Sequence, residues 1–326
     1  MSLTPTIYSS SDAGAPALSG QAGALAALLD AILVDGYGAG QSAKAPLGWT
    51  REYQQGGTLR VYRNSPDTGT GHYVRIDDSR PIYATVTGYE LMTDIGSGSG
   101  QFPLSTQRAD GVAWGKSSAA SGLSRAWWAI GNEYCFYLFI DTHGTGIEQA
   151  PAVNFAGNFI RSNVTDGWNF AISDSGATSI AAGAYQSMRL LYLRTVIDAN
   201  PIGTSTLVLA RAQDGRQSVL GACAGGGPVH QEYPGWQGFG TSGFAYPEPI
   251  SGSLLYCRMA VLQGPQQIRG FMPGIFQSMH HAGIADMQRI EDVDGLPDGT
   301  TLLCKVARAG NGTQYPRALF DLTNPW

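Results

Sequence analysis

Leu25, Leu28, Leu29, Ile32 and Leu33 fall at i, i+3, i+4, i+7 and i+8. This single apolar stripe predicts one amphipathic helix. Ser19 is a suitable N-cap ahead of it, and Gly36 suits the glycine that ends a helix. Residues 1–20 are rich in Ser, Pro, Ala and Gly and read as an arm or extended lead-in. After Trp49 the pattern turns to β. Leu59–Asn64, His72–Asp77 and Pro81–Leu91 read as strands, and Ile82, Ala84, Val86 and Gly88 alternate against Tyr83, Thr85, Thr87 and Tyr89. Gly96–Gly100 is a loop. Ala126–Ile130 and Glu133–Asp141 are predicted strands joined by a two-residue Gly131-Asn132 turn, and the apolar run Cys135–Ile140 marks the second as a central, buried strand.

Residues 142–187 read as loops with short strands. Met188–Ile197 and Thr204–Ala212 look like a β-pair around Asn200-Pro201, and Leu254–Leu262 like a further strand. Residues 221–252 hold nine glycines and four prolines, a long irregular excursion of the kind that is usually functional or interfacial. Thr300–Arg308, Gly310-Asn311-Gly312 and Tyr315–Asp321 form a closing hairpin signal. The predicted fold class is mainly β: a β-sandwich or barrel-like body of short antiparallel strands with one N-terminal amphipathic helix. The expected parts are an arm and helix (1–45), a β-rich body (46–200), and a second β-rich part (201–326) that is either separate from the body or continuous with it.

Composition narrows the class. Gly accounts for 44 of 326 residues, about 13% against roughly 7% on average, and charged residues for 14% against roughly 25%. With 43% hydrophobic residues this is not a disordered chain. The glycines have no three-residue period, which excludes collagen. A net charge of −5 without a basic run speaks against a general nucleic-acid binder and against a polybasic membrane patch. No apolar run reaches the ~18 residues of a spanning helix, and Met1–Ser11 lacks the signature of a signal peptide, so folding in a cytosol is expected. Cys135, Cys223, Cys257 and Cys304 are far apart. Cys135, Cys257 and Cys304 lie in apolar runs as small hydrophobes, and no structural zinc is expected.

Candidate chemistry is sparse. Gly115-Lys116-Ser117 resembles the end of a phosphate loop, but Asp110 stands where the first glycine is needed. No G-x-S-x-G elbow exists. His72, His143, His230, His280 and His281 are dispersed. Asp141-Thr142-His143 could place two ligands on one side of a strand end, but the leading reading of the five is loop or partly satisfied histidines. Asp77 and Asp78, with Glu90 and Asp94, form the densest acidic group. Adjacent carboxylates at a strand end are foremost turn formers; a bound cation or glycan hydrolysis are the sharper alternatives. Trp114, Trp127, Trp128, Trp168 and Trp236 are the notable aromatics, with Trp127 and Trp128 read as core. Tyr233, Trp236 and Phe239, in the long loop, are the candidates for contact with a neighbouring subunit or a glycan. No cofactor is expected.

Several motifs taken together resemble a family of tailed-bacteriophage virion structural proteins. They are Leu28-Leu29-Asp30, Leu33-Val34-Asp35-Gly36-Tyr37-Gly38, Gly48-Trp49, and Arg75-Ile76-Asp77-Asp78-Ser79. Ala84, Val86, Gly88-Tyr89-Glu90, Met92-Thr93-Asp94, Gly98 and Phe102-Pro103 follow. Near the C-terminus come Ile268-Arg269-Gly270, Pro273-Gly274 and Trp326. The match covers the helix-to-Glu90 stretch best and leaves roughly 142–250 unmatched. The resemblance implies a neck, collar, tail or baseplate component of the virion, made in the bacterial host cytoplasm, and not an enzyme. Its implied partners are copies of itself and other virion proteins, with arm 1–20 and loop 221–252 expected at those contacts. The alternative is a receptor- or glycan-binding tail-tip protein that meets a host surface glycan. Neither nucleic-acid binding nor membrane insertion is expected.

Overall fold

The computed structural model describes residues 3–146, 152–173, 207–224, 244–263, 267–306 and 317–326. The described residues are mainly β, with one short α-helix and with antiparallel strand pairing apart from one two-stranded parallel pair. Its early strands are β1 (Thr6–Ser9), β2 (Thr50–Gln55), β3 (Leu59–Arg63), β4 (Tyr73–Asp77), β5 (Tyr83–Tyr89), β6 (Leu91–Met92), β7 (Gly98–Ser99) and β8 (Val112–Gly115). Then come β9 (Trp127–Gly131), β10 (Cys135–Ile140), β11 (Ala152–Asn158), β12 (Ile160–Arg161), β13 (Phe170–Ser173), β14 (Leu207–Arg211) and β15 (Gln217–Ala224). The last are β16 (Phe244–Ala245), β17 (Tyr256–Gln263), β18 (Gln267–Ser278), β19 (His280–Ala282), β20 (Arg289–Glu291), β21 (Thr301–Val306) and β22 (Arg317–Asp321).

The apolar stripe forms the helix it predicts. The helix α1 (Ala24–Asp30) runs on into a π-turn over Ala31–Asp35, and Leu25, Leu28, Leu29, Ile32 and Leu33 are all buried. Gly36 ends it at φ 73°, a backbone state that favours glycine, and its N–H closes the π-turn on the Ala31 carbonyl. The returning chain takes up two more end carbonyls, Leu47 N–H on Ile32 and Trp49 N–H on Leu33. The helix starts later than Ser19 suggests. Ser19 accepts only the Gln21 N–H, residues 20–23 form a turn, and the N-cap residue is Gly23. The open N–H groups of Leu25 and Ala26 are capped instead by the Asp78 carboxylate, more than fifty residues away.

One sheet runs β2-β3-β4-β5-β8. A larger one runs β1-β9-β10-β11-β13-β14-β15-β17-β18-β22-β21-β20, with β12 attached to β18. The larger path is open from β1 to β20 and does not close into a barrel. It crosses from residues before 200 to residues after 200 through the β13–β14 pairing. Its strands β9, β10 and β11 are buried on both faces. Trp127, Ala129, Phe136, Leu138 and Ile140 share a core with the helix stripe and with Val74, Ile76, Val86 and Trp114 of the smaller sheet. The alternate residues Trp128, Ile130, Tyr137 and Phe139 share a second core with Met259, Val261, Met272, Phe320 and Trp326 of the late strands. Burial on both faces explains why Cys135–Ile140 reads as an unbroken apolar run.

Five local expectations change. Residues 3–20 are not a free arm: β1 pairs with β9, and Tyr8 and Leu18 are wholly buried. The β9–β10 connection is Asn132-Glu133-Tyr134 rather than Gly131-Asn132. Gly131 is still paired with Phe136, and the Asn132 side chain accepts the Tyr134 and Cys135 N–H groups that form the turn. Ile82 is not in strand β5 but stands before it at φ 64°. The twelve-residue β18 has no counterpart in the sequence pattern, because Gly270, Pro273 and Gly274 break the alternation and its pairing with β17 shifts register there. Residues 217–224 belong to β15, so the Gly/Pro-rich excursion begins after a strand. The predicted strand Met188–Ile197 and the Gly310-Asn311-Gly312 turn lie outside the described residues. The strands flanking that turn, β21 and β22, pair antiparallel.

Candidate functional site

Strands β4 and β8 both lie beside β5 and run antiparallel to it, so their C-terminal ends emerge at the same edge. Asp78 follows β4 directly and Lys116 follows β8 directly, and the helix starts at this edge. The Lys116 ammonium donates to Asp78 Oδ1, and both side chains are 0% exposed. Lys116 Nζ also donates to the Gln21 carbonyl at 2.6 Å. Asp78 Oδ2 accepts the N–H groups of Leu25 at 2.8 Å and Ala26 at 3.1 Å. The Ile82 carbonyl, held out by the left-handed backbone, accepts the N–H groups of both Lys116 and Ser117. Burial pushes the Asp78 carboxyl up from its ordinary range and the Lys116 amine down, each against the attraction of the other.

The acidic group predicted from sequence is therefore not one site. Asp78 is buried in this pair. Asp77 accepts the Ser79 N–H and Asp94 the Gly96 N–H, as turn formers do. Glu90 pairs with Arg211 through both carboxylate oxygens. Among the described residues no three His, Cys, Asp or Glu side chains come together in a way that holds a metal. Asp141 likewise turns inward, its carboxylate accepting the N–H groups of His143, Gly144, Thr145 and Gly146. His280 is buried, and its Nε2 accepts the Leu255 N–H at 2.8 Å. Cys135, Cys223 and Cys304 are buried, and Cys257 is half-buried.

Two further ionic centres escaped the sequence reading. Arg269, with its side chain 1% exposed, donates Nε and Nη2 to Asp166 and Nη1 to the Arg211 carbonyl and Gln263 Oε1. Arg211 also holds Glu90, so this network joins the smaller sheet's exit to β14, β17 and β18. Asp30 on the helix accepts from Arg51, Arg60 and Tyr62. The motif Ile268-Arg269-Gly270 was the available signal for the first centre. Nothing local marked Asp166 as its partner.

Of the aromatic candidates, Trp114, Trp127 and Trp128 are core. Trp168 is half-buried with the Arg211 guanidinium 5.5 Å over its ring. Tyr233, Trp236 and Phe239 lie outside the described residues. Among the described residues, β2 is an edge strand of the smaller sheet that is mostly exposed and pairs only with β3; Leu91, Leu123, Val164 and Ile250 are exposed apolar side chains. Among the described residues no helix is long and apolar enough to cross a membrane. No family model and no curated protein matches the chain.

Proposed function

We propose that this protein is a structural subunit of a tailed-bacteriophage particle, in the neck or collar, tail or baseplate. It assembles as a symmetric homo-oligomer with other virion proteins and has no catalytic role. The observation that carries this reading is the use made of the motif residues. Asp30, Asp78, Glu90 and Arg269 are consumed in internal ionic contacts. Gly88 and Gly274 make room for the Phe102 and Trp326 rings, which a Cβ at either position would strike. These residues build a rigid body rather than a reaction centre.

Surface character supports the same reading. A chain already poor in charge also buries Asp78, Arg108, Lys116, Arg125, Asp166, Arg269, Lys305 and Arg317. These burials leave fewer charges for the outside of an already charge-poor chain, and interface cores are depleted of charge. The β2 edge leaves backbone donors and acceptors open to a neighbouring strand. In this reading the helix with the smaller sheet, the early strands and the late strands are three layers of a sandwich-like body, made in the host cytoplasm and carried in the virion. The test is mass spectrometry of purified particles of the phage that encodes the chain, with sedimentation of the isolated protein across concentration. Presence in particles and a ring-sized oligomer are expected. A monomer at high concentration that is absent from particles overturns the proposal. Glycan binding through Tyr233, Trp236 and Phe239 is the competing outcome, and a glycan array that responds to Trp236→Ala would favour it.

A further inference from the structure

We propose that Asp78 and Lys116 form a covalent modification site, at which the Lys116 amine and the Asp78 side-chain carboxyl condense into an intramolecular isopeptide bond. The inference rests on the geometry of the pair and is independent of the assembly reading. Both side chains are completely enclosed, and the amine nitrogen is in contact with Asp78 Oδ1.

Hydrogen bonding fits the product better than the ion pair. An ammonium has three N–H donors, yet the acceptors around Lys116 Nζ are Asp78 Oδ1 and the Gln21 carbonyl. A buried donor without a partner is costly, and so is a pair of buried charges. A side-chain amide needs one acceptor for its N–H, and the Gln21 carbonyl is in place at 2.6 Å. Its carbonyl oxygen, the present Oδ2, already receives the Leu25 and Ala26 N–H groups. Every polar atom of the amide is thus satisfied by groups where they now stand.

The same groups suit the step that makes it. Burial favours the neutral acid on Asp78 and the neutral amine on Lys116, the forms that react. The Lys116 nitrogen lone pair attacks Asp78 Cγ. Negative charge develops on Oδ2, where the Leu25 and Ala26 N–H groups meet it as oxyanion donors do. One amine proton passes to the protonated Oδ1, the Cγ–Oδ1 bond breaks, and Oδ1 leaves as water. The Nζ–Cγ bond remains. No oxidant, metal or other reactant is required, and the dry site disfavours hydrolysis. The link would join the exits of β4 and β8 across β5 and the start of the helix.

Intact-mass measurement of the denatured full-length protein tests this directly. The expected mass is one water below that of the unmodified chain, with proteolysis yielding a branched peptide that joins the Asp78 and Lys116 segments. Lys116→Arg, which keeps the charge but blocks condensation, and Asp78→Asn/Lys116→Met are expected at their full masses. A wild-type protein at full mass, or a water loss that maps elsewhere, overturns the proposal whether or not the variants fold.

Discussion

Asp166→Ala removes the carboxylate from a guanidinium that has no route to water. The Arg269 side chain is 1% exposed and that of Asp166 is 2% exposed. Truncation leaves Arg269 Nε and Nη2 without their acceptor, while Nη1 stays fixed on the Arg211 carbonyl at 2.8 Å and Gln263 Oε1 at 2.6 Å. Breaking a buried ion pair from one side costs about 3–5 kcal/mol. Against a total folding stability of roughly 5–15 kcal/mol, that is a large share. With a denaturant slope of about 3 kcal/mol per M, the urea midpoint should fall by about 1 M or more. Asp166→Ala/Arg269→Met should be less destabilised than the sum of its single changes by about 2 kcal/mol, since the stranded charge is gone. Asp214→Ala serves as the control. Its partner Arg216 is mostly exposed, and no measurable change is expected. Urea unfolding followed by tryptophan fluorescence and circular dichroism reads all five proteins, wild type and the single Arg269→Met variant included. A loss below about 1 kcal/mol in Asp166→Ala, or strict additivity in the double variant, would refute the claim that Asp166 neutralises a buried Arg269.

Leu29→Asp puts a charge into the wholly enclosed helix face and should abolish soluble folded protein, whereas Leu29→Ala should fold with a loss of about 2–5 kcal/mol; wild-type solubility and melting in Leu29→Asp would refute burial of the stripe. Gly88→Ala should destabilise by about 1–3 kcal/mol through its collision with the Phe102 ring, and Phe102→Leu should recover part of that loss in a thermal melt. Burial holds the His72 imidazole below its ordinary value near 6.5, despite the Thr70 carbonyl and Glu90, which favour the proton. The unfolded chain therefore takes up the proton first. This contribution is complete above about pH 6.5 and is lost as pH falls from there towards the lowered folded value. The urea midpoint should drop over that window, and His72→Phe, which keeps the stack on Phe170, should flatten the drop; an unchanged profile in the variant would exclude His72 as the source.

What the sequence made legible was local. The helix could be read because five apolar side chains repeat at its own period and pack on one core. The Cys135–Ile140 strand could be read because both of its faces are buried. What it hid depends on distant partners. The helix cap is Asp78, and no pattern near Ser19 points to a carboxylate beyond three intervening strands. β18 was hidden because its irregularities are the places where the fold needs small residues: Gly270 passes the Ile160 carbonyl and Gly274 lies under Trp326. Lys116 looked like the end of a nucleotide loop, but its better signal was isolation. It is the single charged residue between Asp110 and Arg125, flanked by Trp114 and a run of small residues, which is how a buried lysine appears in a strand exit.

On the proposed reading, the motif residues and the contact surface are different sets, and this bears on where specificity lies. Asp78 and Arg269 are buried, Asp30 and Glu90 are held in ion pairs, and Gly88, Phe102, Gly274 and Trp326 are interlocked by packing. Changing any of them alters the body rather than a contact. A subunit that must fit particular neighbours therefore has to express that choice elsewhere, on groups whose loss leaves the body intact. Among the described residues, the β2 edge and the exposed side chains Leu91, Leu123, Val164 and Ile250 meet that condition. Substitutions there should change assembly while leaving the melting curve in place. Substitutions in the motif should shift both together, because a contact surface carried on a loosened body is lost along with it.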